Sequence, residues 1–153
     1  MVGDTSGRTT YKHPREGFSV EIPSDWEGRL YPGPLAFAAR DPNADGFSPN
    51  VNVTLAPVAQ AIDGYLDSEL ARAAGYLTDL DVAERERVTL NGRVAVRILA
   101  RYRQGRFSVA LEQWIVATDS TYFTISGAAE ESDWGDVSET IRAIAQSLDL
   151  GSE

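Results

Sequence analysis

From residue 18 to residue 55 the chain alternates in steps of two. Phe18, Val20 and Ile22 are apolar, with Ser19 and Glu21 between them. Leu35, Phe37 and Ala39 repeat the pattern, and so do Val51, Val53 and Leu55. Period two with a β-branched and aromatic bias reads as strands with one buried face. Pro23 has no N–H and ends the first of them. The connectors LYPGP and DPNADGFSPN are dense in turn residues. From Ile62 the period changes. Ile62, Leu66, Leu70, Ala73 and Leu77 recur at spacings of three and four, which predicts an amphipathic helix ending near Gly75. Strands follow over 80–90, 93–103, 106–118 and 121–128, with turn signals at Asn91-Gly92 and Gln104-Gly105. Ser132 is the expected N-cap of a last helix carrying Val137, Ile141, Ile144, Ala145 and Leu148. The order β-β-β-α-β-β-β-β-α lacks strand–helix–strand alternation. It predicts an α+β fold, an α/β sandwich in which two amphipathic helices flank a mainly antiparallel sheet of about seven strands. Residues 1–10 read as a flexible polar arm and 11–150 as one domain.

The Gln104-Gly105 hairpin gives a register. With those two residues as the loop, Arg103 faces Arg106, Tyr102 faces Phe107, Ala100 faces Val109 and Ile98 faces Leu111. That face is apolar apart from Gln113. On the other face Arg97 stands across from Glu112 and Ala95 from Trp114, an opposite-charge pair in the favourable sense. At Asn91-Gly92 hydrophobic matching predicts a three-residue loop, placing Val88 and Leu90 with Val94 and Val96. One sheet face is therefore expected to receive the helices. The other is expected to carry Ser19, Glu21, Asn52 and Thr54 together with Arg97, Leu99, Arg101, Glu112, Trp114 and Val116. Aromatic and arginine side chains are enriched at binding hot spots, so Arg97, Leu99, Arg101, Glu112 and Trp114 are the predicted partner-binding residues.

Charge and composition narrow the partners. The net charge of −9 repels phosphate backbones, which argues against nucleic acid and anionic membranes. No apolar run reaches the ~20 residues of a membrane span. The first residues show no signal-like apolar segment, so a cytoplasmic location is expected, with an exported or lipid-anchored protein as the alternative. The absence of cysteine removes disulfides and thiolate chemistry. All basic residues except Lys12 are arginine, a usage typical of GC-rich bacterial genomes.

Catalytic signals are sparse. Asp41, Asn43 and Asp45, followed by Gly46, match the first half of a calcium loop, but Asn52 stands where the closing acid belongs. No metal and no cofactor is expected. The single histidine, His13, belongs to no triad or ligand pair. Glu130, Glu131, Asp133 and Asp136 could be imagined as an acid/base pair, yet a helix start favours the same residues through its dipole. The residues point to a protein that is not an enzyme.

The segments YKHPREGFSVEIPSDW, NVNVT, VTLNGRVAVR, EQWIV and the closing IAQSL resemble PsbP-like, Mog-type domains over about residues 11–149. The resemblance implies an antiparallel sheet flanked by helices and a non-enzymatic role. Relatives of that kind include photosystem accessory proteins, a Ran-binding protein, actinobacterial LpqN-type lipoproteins and Eag-type chaperones of secreted toxins. Together with the aromatic-plus-arginine face, the expected function is a protein-binding module, an adaptor or chaperone for a partner protein, with a homodimer as a further partner option. The alternative is the soluble domain of an envelope lipoprotein that binds a small ligand or cell-wall component.

Overall fold

The computed structural model describes residues 2–5, 7–44 and 46–151. Its elements are β1 (Val2–Thr5), β2 (Arg8–Lys12), β3 (Ser19–Pro23), β4 (Glu27–Leu30), β5 (Leu35–Arg40) and β6 (Asn50–Pro57). Then come α1 (Ile62–Ala74), β7 (Thr78–Leu90), β8 (Arg93–Gln104), β9 (Phe107–Ala117), β10 (Thr121–Glu130) and α2 (Trp134–Gln146). A seven-stranded antiparallel sheet runs in the order β4-β5-β6-β10-β9-β8-β7, and β1-β2-β3 form a second, smaller sheet. The fold is α+β, as the hydrophobic periods require.

The smaller sheet departs from expectation. Most of the predicted polar arm is strand: β1 pairs with β2, and β2 pairs with β3. Thr9, Thr10 and Tyr11 favour extended backbone, and the turn at Gly7 has a φ of 77° that glycine adopts freely. The strand of Phe18, Val20 and Ile22 thus lies outside the main sheet. Its free edge is closed by the chain after α2. Ser19 and Asp149 exchange backbone hydrogen bonds of 2.8 and 2.9 Å, and Ser147 Oγ accepts the Glu21 N–H at 2.8 Å.

Both faces of the main sheet are covered, unequally. On one side Phe18, Ile22, Trp26, Phe37, Val53, Trp114, Val116, Phe123 and Ile125 pack with Ile141, Ile144 and Leu148 of the α2 region. Gly127 permits this. A Cβ built there would lie well inside van der Waals contact of Ile141 Cγ2. On the other side Leu66 of α1 meets Val96, Ile98, Ala100, Ile115 and Tyr122.

Two hairpins differ in detail from the sequence-based registers. Asn91 and Gly92 have φ of 54° and 81° and form a two-residue turn with Leu90 opposite Arg93. Two successive positive φ values belong to a type I′ turn, whose twist matches the strands. This local preference overrides hydrophobic matching. Val88 falls opposite Ala95 on the α2 side, and Val94 is left 62% exposed. In the β8–β9 hairpin the loop is Gly105-Arg106, with Gln104 opposite Phe107 and Gly105 at φ 59°. Pairing is therefore shifted by two residues from the expected register. A two-residue shift keeps each side chain on its face. The faces stand, but Arg97 lies opposite Trp114, and Leu99 opposite Glu112. Ser132 does not cap α2. A 3-10 turn over Glu131–Asp133 precedes the helix, and the Ser132 hydroxyl donates to Glu130 at 3.4 Å.

Candidate functional site

Two of the five predicted residues are buried. Glu112 is fully buried and Trp114 is 5% exposed. Arg97 Nε donates to Glu112, and Arg97 Nη1 lies 2.9 Å from both Glu84 and Glu86. From α2, Arg142 Nε reaches the other Glu112 oxygen at 2.9 Å. Two cations and the burial of one carboxylate make this a structural ion network, since an unpaired charge would be too costly there. Leu99 is half-buried, and exposed Arg101 pairs with Glu131 at 3.4 Å. The five predicted residues lie close together on one face; α2 reaches over Glu112 through Arg142, Arg101 stays exposed, and Arg97, Glu112 and Trp114 line a hollow of about 460 Å³ beside α2. Ser19 and Glu21 lie outside this sheet, and Asn52 and Thr54 point to its opposite side.

That opposite side holds the larger cleft. β6, β10 and β9 present polar side chains there in cross-strand register. Asn52 pairs with Ser126 and Ser126 with Gln113; one step along, Thr54 pairs with Thr124. Gln113 Nε2 donates to Ser126 Oγ at 3.0 Å. Thr124 and Ser126 are 8% and 6% exposed. α1 shelters only part of this strip. Between the helix and the strip lies a cleft of about 600 Å³, with these five polar residues as its floor. Leu35 and Tyr76 stand at its rim, 42% and 71% exposed.

Tyr65 joins helix to floor. Its ring stacks on Tyr122 at 4.5 Å between centroids, and its hydroxyl donates to Glu69 at 3.4 Å. Burial, reinforced by the Glu69 carboxylate, pushes the Tyr65 phenol above its ordinary value. Burial does the same to Tyr102 at the cleft's far wall, helped by Tyr76. Both are neutral phenols at physiological pH. The charged residues lining the cleft, Glu69 and Arg72, pair with each other at 2.5 Å. The cleft therefore offers neutral hydroxyl and amide groups between apolar walls. Among the described residues its only carboxylate, Glu69, is held by Arg72 and by the Tyr65 hydroxyl.

α1 itself is tied to the sheet's edge strand by charge. Arg85 contacts Asp67 at 2.6 Å and Asp63 at 3.3 Å, and Arg87 contacts Asp63 at 2.6 Å.

The remaining candidates sit elsewhere. His13 is 3% exposed and bonded to backbone. Asp41 Oδ1 accepts the Asn43 N–H at 2.9 Å in a local turn, and Asp45 lies outside the described residues. Among the described residues, no group of three or more His, Asp or Glu side chains converges on a metal position.

No family model and no curated protein matches the chain. Solved structures do. CyanoP, the PsbP of the cyanobacterium Synechocystis sp. PCC 6803, is 15% identical and superposes with a TM-score of 0.69 over 97% of this chain and 98% of its own. The chain has a PsbP-like fold. LpqN of Mycobacterium tuberculosis, described as involved in cell envelope biogenesis, shares this fold at 15% identity and TM-score 0.64, over 92% of this chain and 88% of its own. So does PA94 of Pseudomonas aeruginosa, a protein of unknown function described as a putative regulator. It is 14% identical with a TM-score of 0.61, over 97% of this chain and all of its own.

Within the PsbP-like fold, the cleft residues were only partly visible in the sequence. Gln113 stood out as the polar exception on an apolar face. Tyr122, Thr124 and Ser126 form a polar alternation against Phe123 and Ile125, which marks the same face. Asn52 and Thr54, expected beside Arg97 and Glu112, lie on the α1 side instead. A hairpin fixes which faces match, whereas β6 and β10 are separated by 63 residues between Pro57 and Thr121.

Proposed function

We propose that this protein is a non-enzymatic binding module for a partner protein, acting as an adaptor or chaperone through the α1 cleft. The observation that carries the reading is the cleft's composition. The buried hydroxyls of Thr124 and Ser126 and the half-buried amides of Asn52 and Gln113 line the floor, while Leu35 and Tyr76 leave apolar surface at the rim. An exposed aromatic and an aliphatic flanking hydrogen-bonding groups suit a polypeptide, which offers both side chains and backbone amides. The alternative is an envelope-associated domain taking a small ligand. The same polar floor and the description of LpqN support that alternative.

A photo-crosslinking residue placed at Tyr76, and separately at exposed Asp136 on α2, separates the readings in source cells. A discrete protein adduct from Tyr76 and none from Asp136 is the expected result. No adduct at Tyr76, or the same adducts at both positions, would overturn the assignment.

A further inference from the structure

The row of residues that floors the cleft continues beyond α1. Arg29 of β4, Ala38 of β5, Asn52 of β6, Ser126 of β10, Gln113 of β9 and Ile98 of β8 are successive cross-strand partners. They form one row across the sheet on the α1 side. At about 4.8 Å per strand the row runs about 24 Å from Arg29 to Ile98. Its chemistry is graded. Ile98 is buried with Leu70, Leu80 and Tyr65 packed around it under α1. Asn52, Ser126 and Gln113 are neutral hydrogen-bonding groups. The small Ala38 leaves a second depression of about 460 Å³, and Asn52 lines both hollows. Beyond it stands exposed Arg29, its guanidinium 5.9 Å from the Tyr31 ring centroid. Among the described residues Arg29 has no carboxylate within ion-pair distance, whereas its neighbour Arg40 is paired with Glu27 at 3.0 Å. This end carries a spare positive charge in a chain of net −9.

We propose that the two hollows are one groove for an extended segment of the partner protein, crossing the strands with an apolar anchor under α1 and a carboxylate at Arg29. This rests on the protein-binding reading above. Charge complementarity sets the direction: the apolar end seats under the helix, and the acidic end meets the unpaired cation. The Gln113 position, where the anchor enters, lies four strands from Arg29, about 19 Å. At about 3.3 Å per residue of extended chain the anchor and the acid stand about six residues apart.

Three acetylated, amidated heptapeptides test this, each with leucine first and serine and asparagine in the middle. The seventh residue is aspartate, asparagine or lysine. Each is titrated into the full isotope-labelled protein, read at the backbone amides of Ile98, Gln113, Asn52 and Arg29. The aspartate peptide is expected to shift amides at both ends of the row and to bind about threefold tighter than the asparagine form, with the lysine form weakest. Arg29→Glu should reverse that order, and 1 M salt should remove it. Equal binding of all three peptides, or an unchanged order in Arg29→Glu, overturns the inferred polarity. Shifts confined to the α1 end overturn the continuous groove. Neither result touches the crosslink from Tyr76, which decides the protein-binding reading by itself.

Discussion

Three hydrogen bonds converge on the imidazole of His13. Nδ1 accepts the backbone N–H of Arg15 at 3.2 Å and of Glu16 at 3.0 Å. Nδ1 therefore carries no proton, and Nε2 donates to the Tyr31 carbonyl at 2.7 Å. The ring also lies 5.3 Å from Phe18, centroid to centroid. One side chain thus closes the turn before β3 and fastens it to the connector after β4. This explains why a lone histidine is buried without being a site. His13→Ala leaves the Tyr31 carbonyl and the amides of Arg15 and Glu16 without that partner around a buried ring position. A loss of about 1–3 kcal/mol is expected, since unsatisfied buried polar groups cost about that much. Urea unfolding checks it, with a lower midpoint at unchanged slope. A midpoint equal to that of the parent would mean that water replaces the ring without loss.

At the scale of elements, α2 is the piece whose position decides which sheet face is available. Its approach depends on Gly127 of β10 meeting Ile141. Gly127→Ala forces the helix outward and should cost about 1–3 kcal/mol, the usual penalty of overpacking. Ile141→Ala removes the offending methyl and by itself costs about 2–5 kcal/mol as a cavity. The two changes together should cost less than their sum, because each removes the reason for the other's strain. Additive losses would place the clash elsewhere. Helix and strand existence was legible in the sequence because periods of two and 3.6 are local. Ile62–Ala74 and the β7–β10 strands follow from that alone. Glu27–Leu30 was not legible, since EGRL has one apolar residue and a glycine, and its strand forms only because β5 is there to pair with. The covering of the face around Glu112 was also hidden. Arg97 and Glu112 look like surface charges in sequence, and only the arrival of Arg142 from 30 residues away turns them into a buried network.

Across the whole molecule the two helices hold the sheet very differently. α2 buries Ser138, Ile141, Ile144 and Ala145, whereas α1 buries Leu66 alone. A buried aliphatic side chain contributes about 1.5–3 kcal/mol. The exposed ion pairs of Asp63 and Asp67 with Arg85 and Arg87 add about 0.2–1 kcal/mol each, and salt weakens them. α1 should then open locally without unfolding the sheet, as weakly anchored segments do. Native-state hydrogen exchange is expected to show α1 amides exchanging at least about tenfold faster than α2 amides at 0.1 M salt. The gap should widen at 1 M, where the screening length falls from about 10 Å to about 3 Å. Asp63→Asn with Asp67→Asn should reproduce the high-salt rates at low salt and leave α2 unchanged. Such opening would let a chain segment enter beneath Tyr65 and Leu66 without threading through a closed cleft. If α1 and α2 amides exchange together at every salt concentration, the helix is a fixed wall, and a partner would have to enter from the β4 end past Arg29.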